Sequence, residues 1–198
     1  MSRQSIYIIG AQCTGKTTLV NALKDHFTQH REQNITEPRI ISEVARRVLS
    51  KLNIDRHDIA NTPEKSLQLQ TAILQAQYTA EAEAAAHNGW YISDRSGLDP
   101  IVYARLSVSD DAAQTLLDTP EWMSIEQNMK AGLVFVCEAG CTWLVDDGTR
   151  WMPDDAEHWE SFHQAFCKLL EERGIAYQVV PRDVAQIHER VQIVLGGT

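Results

Sequence analysis

Ser5-Ile6-Tyr7-Ile8-Ile9, followed at once by Gly10-Ala11-Gln12-Cys13-Thr14-Gly15-Lys16-Thr17-Thr18, decides the fold. A short apolar run rich in β-branched residues predicts a buried strand. It runs directly into G-x-x-x-x-G-K-T, the spacing of a phosphate-binding loop. Gly10 and Gly15 allow a tight turn with no Cβ in the way of a phosphate. The backbone N–H groups of Ala11, Gln12, Cys13 and Thr14, and those running on to Thr18, can then converge on a phosphate as an anion nest. Lys16 is a mobile point charge for the outer phosphates, and the Thr17 hydroxyl is a candidate Mg²⁺ ligand. Leu19, Val20, Leu23 and Phe27 recur at helical spacing, so the loop opens a helix whose positive N-terminal end faces the phosphates.

Composition fits this reading and excludes others. With 198 residues the chain can bury a sizeable single core. A formal net charge of −9 argues against general nucleic-acid or anionic-membrane binding, each of which needs a basic surface. No apolar run approaches a membrane span, and the N-terminal apolar stretch is too short for a signal peptide. Cys13, Cys137, Cys141 and Cys167 contain no C-x-x-C pair, so free thiols in a cytoplasmic protein are expected over a metal site or disulfide framework. His158 and His163 are not at i, i+4 and lack a third ligand for zinc.

Further along, Pro38 to Ser42 predicts a second strand, with Ser42 capping a helix from Glu43 to about Leu52. Asn53 to Pro63, with Asp55, Arg56, His57 and Asp58, reads as a solvated connection. Thr62-Pro63 starts a helix to about His87, which Asn88-Gly89 ends. Trp90-Tyr91-Ile92 is the third strand, running into Ser93-Asp94-Arg95-Ser96-Gly97. Helical sequence from Asp99 to Lys130 is interrupted around Ser107–Asp110 and at Thr119-Pro120. Leu133 to Cys137 is the fourth strand, and Glu138 to Pro153 is irregular and polar. A helix from about Asp154 to Arg173, a fifth strand from Ala176 to Val180 and a last helix from Asp183 to about Leu195 complete the chain. Strands alternating with helices predict an α/β fold, with a five-stranded parallel sheet between two helical layers in a single domain over residues 1–198. Ligands in such sheets bind at the carboxyl ends of the strands.

Asp94-Arg95-Ser96 lies at one such end. A carboxylate there can hold Mg²⁺ or take a proton from a hydroxyl attacking the γ-phosphorus, and Arg95 can stabilise the transferring phosphoryl group. The alternative is a capping Asp beside an Arg in a surface pair.

Asp94-Arg95-Ser96 resembles the acidic-Arg pair of deoxynucleoside and thymidylate kinases. Glu43-Val44-Ala45-Arg46-Arg47, Ala76-Gln77 and the Asp-bearing third strand are similar to the AAA-domain P-loop proteins that include the nicotinamide riboside kinase domain of a bacterial NAD regulator. The chain departs from that kinase at Arg47, where an acidic residue stands, and at Asp94-Arg95, where an Asp-Thr-Asp run stands. Uncharacterised AAA-domain proteins of fungal type carry a similar Asp-Arg-Ser-Gly-Leu-Asp run. The resemblance implies a P-loop NTPase three-layer sandwich and a kinase. ATP or GTP would donate its γ-phosphate, with Mg²⁺, to a hydroxyl of a nucleoside-like metabolite. Catalysis would fall to Lys16, Asp94, Arg95 and Arg150, and metal binding to Thr17 and Asp94. Glu43, Arg46 and Gln77 would contact the acceptor. The segment near 138–153 would act as a lid carrying Arg150, padded by Trp143 and Trp151. Arg182 would flank the nucleotide base, and a homodimer is compatible with this class. The rivals are a nucleotide hydrolase and a nucleotide-dependent switch or assembly protein, the switch weakened by the lack of an Asn-Lys-x-Asp run.

Overall fold

The structure, a computed structural model, describes residues 3–30, 36–52, 54, 62–141 and 156–196. Strand β1 (Ile6–Ile9) leads through residues 10–15 into α1 (Lys16–Gln29), as the opening stretch dictates. Then come β2 (Arg39–Ile41), α2 (Val44–Leu52), α3 (Pro63–Asn88) and β3 (Tyr91–Asp94). The long helical stretch resolves into α4 (Leu98–Ser107), α5 (Asp110–Leu117) and α6 (Pro120–Ala131). Its breaks are capping events: the Ser109 side chain accepts from the Ala112 N–H, the Thr119 side chain from the Trp122 N–H, and Pro120 occupies the first turn of α6. Strand β4 (Leu133–Cys137), α7 (Ala156–Glu172), β5 (Gln178–Val180) and α8 (Ile187–Gly196) follow. Helix α8 starts later than the expected Asp183. Arg182 first gives its N–H to the Glu138 carboxylate at 2.8 Å, and the chain turns across the end of β4 before Gln186 accepts the first helical bonds.

The five strands pair in parallel in the order β2-β3-β1-β4-β5. Alternation along the strands divides the core into two layers. Ile6, Ile8, Ile92, Phe135 and Val180 pack on the face covered by α1 and α8. Tyr7, Ile9, Tyr91, Val134 and Val136 pack on the opposite face, under helices that include α3, α4 and α7. Covering both faces is what makes the strands read as continuous apolar runs. Because β1 is central and all strands run the same way, the segments after β1, β2, β3, β4 and β5 emerge at one edge. That places Gly10–Gly15, Glu43, Asp94-Arg95, Glu138 and Arg182 at the same end of the sheet. Among the described residues, no helix is long and apolar enough to cross a membrane.

Candidate active site

The loop after β1 uses its glycines as the spacing requires. Gly10 has φ +127° and Gly15 φ +76°, and a Cβ on Gly10 would stand 2.5 Å from the Cys137 carbonyl oxygen of β4. Cys13 takes φ +53°, a left-handed conformation that a side chain disfavours. Gly15 stands at the N-cap of α1 with no side-chain cap, so the first-turn N–H groups face the loop. The Lys16 side chain folds back over the loop, donating to the Ala11 carbonyl and, at 3.2 Å, to Thr14 Oγ1. Burial, aided by the nearby Arg95 charge, lowers its ammonium pKa from the ordinary 10.5 to about 8.

Register sets the second part of the site. Strand β3 pairs with β1 so that Asp94 stands opposite Ile8, one strand away from the loop. Thr17 Oγ1 donates to Asp94 Oδ2 at 2.6 Å, while Asp94 Oδ1 is buried with no hydrogen-bond partner. A hydroxyl and a carboxylate side by side are hard oxygen donors, and Mg²⁺ normally takes one or two of these together with phosphate oxygens and water. The orphaned Oδ1 supplies a free acceptor at that position, so Thr17 and Asp94 fit the metal.

Arg95 is held by two carboxylates. Its backbone N–H extends the β1–β3 ladder to the Ile8 carbonyl, and the residue then takes φ +81°. The side chain, 10% exposed, donates through Nε to Glu43 Oε1 at 2.8 Å and through Nη1 to Asp99 Oδ1 at 3.0 Å. Burial opposes its charge, but Glu43, Tyr103, Asp99 and Asp94 together hold it well above its ordinary value. Asp99 also accepts from the Ser96 N–H at 2.8 Å and the Ser96 hydroxyl at 3.2 Å, which locks the turn from β3 into α4. The second oxygen of Glu43 accepts from Arg46 Nε at 3.0 Å, one helical turn on. Arg95 thus joins the ends of β2 and β3.

Beside this clamp lies a cleft of about 200 Å³ lined by Thr17, Val20, Asn21, Ile40, Ser42, Glu43, Arg46 and Asp94. Asp94 and Thr17 form the boundary between this cleft and the phosphate loop. Glu43 and Arg46 line the cleft; Gln77 does not. Gln77 is fully buried, donating its amide N–H to Glu81 at 2.9 Å and to the Ser93 hydroxyl at 3.0 Å. Glu81 also accepts from Tyr7, Tyr91 and Asn128, so this region is a polar layer inside the protein. Arg182 lies across Gly140, with its guanidinium near the Glu138 and Glu160 carboxylates. Arg150, Trp143 and Trp151 lie outside the described residues.

Four residues that sequence reasoning passed over belong to the site. Asp99 could have been found from the S-x-x-D spacing with Ser96, a capping arrangement. Tyr103 donates to Gln12 Oε1 at 2.8 Å, Trp159 Nε1 to the Gln12 carbonyl at 2.9 Å, and Arg190 Nη2 to the Thr14 carbonyl at 2.9 Å. These last three reach the loop from distant helices, and no local signal marks them.

With the loop, the Thr17–Asp94 pair and the five-stranded parallel sheet in place, comparison with known proteins becomes informative. The AAA domain family matches residues 5–190. The chain belongs to this AAA domain family. A search among curated proteins finds no match. Among solved structures, this AAA domain is similar to the NadR protein in complex with NR, with 23% identity, a TM-score of 0.72, and coverage of 98% of this chain and 51% of that one. It is also similar to the NadR protein in complex with NAD and AMP-PNP, with 18% identity, a TM-score of 0.66 and coverage of 98% and 49%. A deoxyadenosine kinase from M. mycoides with products dCMP and a flexible dCDP bound follows, at 12% identity, a TM-score of 0.65 and coverage of 98% and 97%. The chain spans about half the length of the NadR structures. At these identities the likeness shows the fold, an α/β P-loop architecture shared with kinases.

Proposed function

We propose that this AAA domain is a small-molecule kinase, moving the γ-phosphate of ATP or GTP to a hydroxyl of a nucleoside or nucleoside-like metabolite. One observation carries the reading: the cleft beside Thr17 and Asp94 extends beyond the phosphate loop to Ser42, Glu43 and Arg46, which supports a place for an acceptor. A hydrolase needs room only for water. Here a cleft adjoins Asp94 and Thr17, and a carboxylate, Glu43, is held beside it by Arg95. The complex of NadR with AMP-PNP supports a nucleoside triphosphate as the donor, and the deoxycytidine nucleotides on the M. mycoides kinase support a nucleoside-like acceptor.

In this reading the loop N–H groups and Lys16 hold and orient the outer phosphates. Mg²⁺, held by Thr17 and Asp94, would neutralise charge on those phosphates when bound. Glu43 accepts a hydrogen bond from the acceptor hydroxyl and can take its proton as transfer proceeds. Arg46 lies at the lip of the cleft, its side chain 55% exposed, where it can meet a polar group of the acceptor. Arg95 acts on the reaction through Glu43, fixing which way that carboxylate faces. Transfer of a phosphoryl group is chiefly a matter of positioning and charge, so fixed partners account for most of the chemistry.

The test is to incubate the protein with γ-labelled ATP or GTP, Mg²⁺ and a panel of nucleosides and nucleoside-like alcohols. Label should appear on one class of acceptor, with nucleotide consumption rising in step, and Glu43→Gln should abolish transfer while leaving triphosphate binding intact. Full-rate release of free phosphate with no acceptor across the panel would replace the kinase with a hydrolase.

A further inference from the structure

The phosphate loop carries three residues at positive φ, Gly10, Cys13 and Gly15, and no strand ladder holds it. Its shape depends on what its carbonyl groups bind. On the inner side the Ala11 carbonyl accepts from Lys16 and, at 3.0 Å, from the Thr14 hydroxyl. Two other loop carbonyls are held from outside. The Gln12 carbonyl accepts from Trp159 on α7, and the Thr14 carbonyl from Arg190 on α8, each at 2.9 Å.

We propose that Trp159 and Arg190 form an outer brace of the phosphate loop, acting as positioning residues that aim the Cys13 and Gly15 N–H groups at a bound triphosphate. This rests on reading residues 10–18 as a triphosphate site. The stereochemistry follows from the planar trans peptide, in which a carbonyl and the next N–H point in opposite directions. Fixing the Gln12 carbonyl on Trp159 turns the Cys13 N–H away from α7. Fixing the Thr14 carbonyl on Arg190 turns the Gly15 N–H away from α8. The first of these amides leads into the left-handed Cys13, a conformation costing on the order of 1 kcal/mol that persists only where its neighbours enforce it, and the second into the left-handed Gly15. Tyr103, bound to the Gln12 side chain, fixes the same residue from α4.

The choice of Arg190 is informative. It is 2% exposed, among the most deeply buried large side chains, on a helix whose neighbouring Val191 and Val194 are core. Burying a guanidinium is costly, and packing alone would be served as well by an apolar chain of similar volume. A donor that is charged makes a stronger bond to a carbonyl than a neutral one, and the residue reaches across 176 positions of sequence to make it.

The experiment is a direct titration of the full chain with ATP and with AMP, with folding followed by circular dichroism. Arg190→Met should weaken ATP binding by about 10- to 100-fold, the usual effect of losing a hydrogen bond from a charged group, and Trp159→Phe by about 2- to 10-fold. AMP affinity should change much less, because the loop amides act on the outer phosphates. Trp159→Phe keeps a six-membered aromatic ring and removes the N–H, so it decides the matter if Arg190→Met does not fold. Lys16→Ala in the same titration separates the brace from the reading beneath it. If the unmutated protein shows no preference for ATP over AMP, the loop is not a triphosphate site and the brace falls with it. If the unmutated protein has that preference and Lys16→Ala loses it, while folded brace variants stay within about twofold for ATP or lose ATP and AMP equally, the brace is wrong and the loop reading stands.

Discussion

Lys16→Met should make the nucleotide-free protein more stable while abolishing its capacity to bind triphosphate. The Lys16 side chain is buried, and burial lowers its ammonium pKa from 10.5 to about 8. Below pH 8 both folded and unfolded chains carry the proton, and the folded chain bears the cost of a charge it would shed more readily than water would. A depression of that size corresponds to roughly 3 kcal/mol. Between pH 8 and 10.5 the unfolded chain holds a proton that the folded chain has released, so stability rises with pH through that window. From pH 7.5 to 9.5 the Lys16 contribution amounts to roughly 2 kcal/mol. Buried tyrosines and cysteines act in the opposite direction near the top of this range, since burial raises Tyr7, Tyr91 and Cys137. The useful quantity is therefore the difference between two proteins. Urea unfolding of the unmutated chain and of Lys16→Met, each at pH 7.5 and 9.5 without nucleotide, isolates it. The variant should be more stable at pH 7.5, by about 1 to 3 kcal/mol after losing two hydrogen bonds, and the gap should narrow by roughly 2 kcal/mol at pH 9.5. Adding ATP should reverse the order, because only the unmutated chain gains binding free energy. Equal pH dependence in the two proteins, or a variant destabilised at pH 7.5, would refute the assignment of Lys16 as a charge held in the loop against its own stability.

Asp94→Asn should lower phosphoryl transfer by roughly 10²-fold or more, in line with the several kcal/mol a bound metal supplies, and raise the Mg²⁺ concentration needed for half-maximal rate; an unchanged Mg²⁺ requirement removes Asp94 from the metal. Gly10→Ala should cost about 2 to 5 kcal/mol in urea unfolding, combining a left-handed φ of +127° with a Cβ pressed to 2.5 Å from the Cys137 carbonyl oxygen. A variant as stable as the parent would mean that the β1–β4 approach is looser than described.

What the sequence made legible was local. The strand, loop and helix over residues 6–29 follow from apolar runs, two glycines and helical periodicity. The breaks at Ser109 and Thr119 follow from hydroxyl caps that compete with continued helix. Asp94 could be placed because an acidic residue ending a strand beside the loop has few places to go in a parallel sheet. The partners of Arg95 could not. Glu43 stands 52 positions before it, and which of phosphate, water or carboxylate a guanidinium meets depends on the register that sets β2 against β3. Gln77 shows the same limit from the other side. Its place in a Gln-rich helix identifies neither its face nor its neighbours, and the structure puts it in the buried layer with Glu81. Trp159 reaches Gln12 across 147 positions, with an indole that reads in sequence as ordinary helix surface.

In the proposed kinase, the strand order would give the two reactants different neighbours at one edge of the sheet. With β1 at the centre, the phosphate loop is flanked by β3 on one side and β4 on the other. The loop is met by donors from α7 and α8, Trp159 and Arg190, which bind its carbonyls. At the end of β3 stands an acceptor, Asp94, with Glu43 beyond it. A triphosphate has many acceptor oxygens and no strong donor on its phosphates, so it is drawn to the amide-rich loop. An alcohol has a proton to give, and its natural place is beside a carboxylate that can accept it. Arg95 keeps these territories apart by tying Glu43 to the start of α4 through Asp99, so that Glu43 faces the cleft and Asp94 faces Thr17. In the proposed kinase the loop amides would therefore hold the phosphates while Glu43, on the far side of Asp94, would receive the hydroxyl.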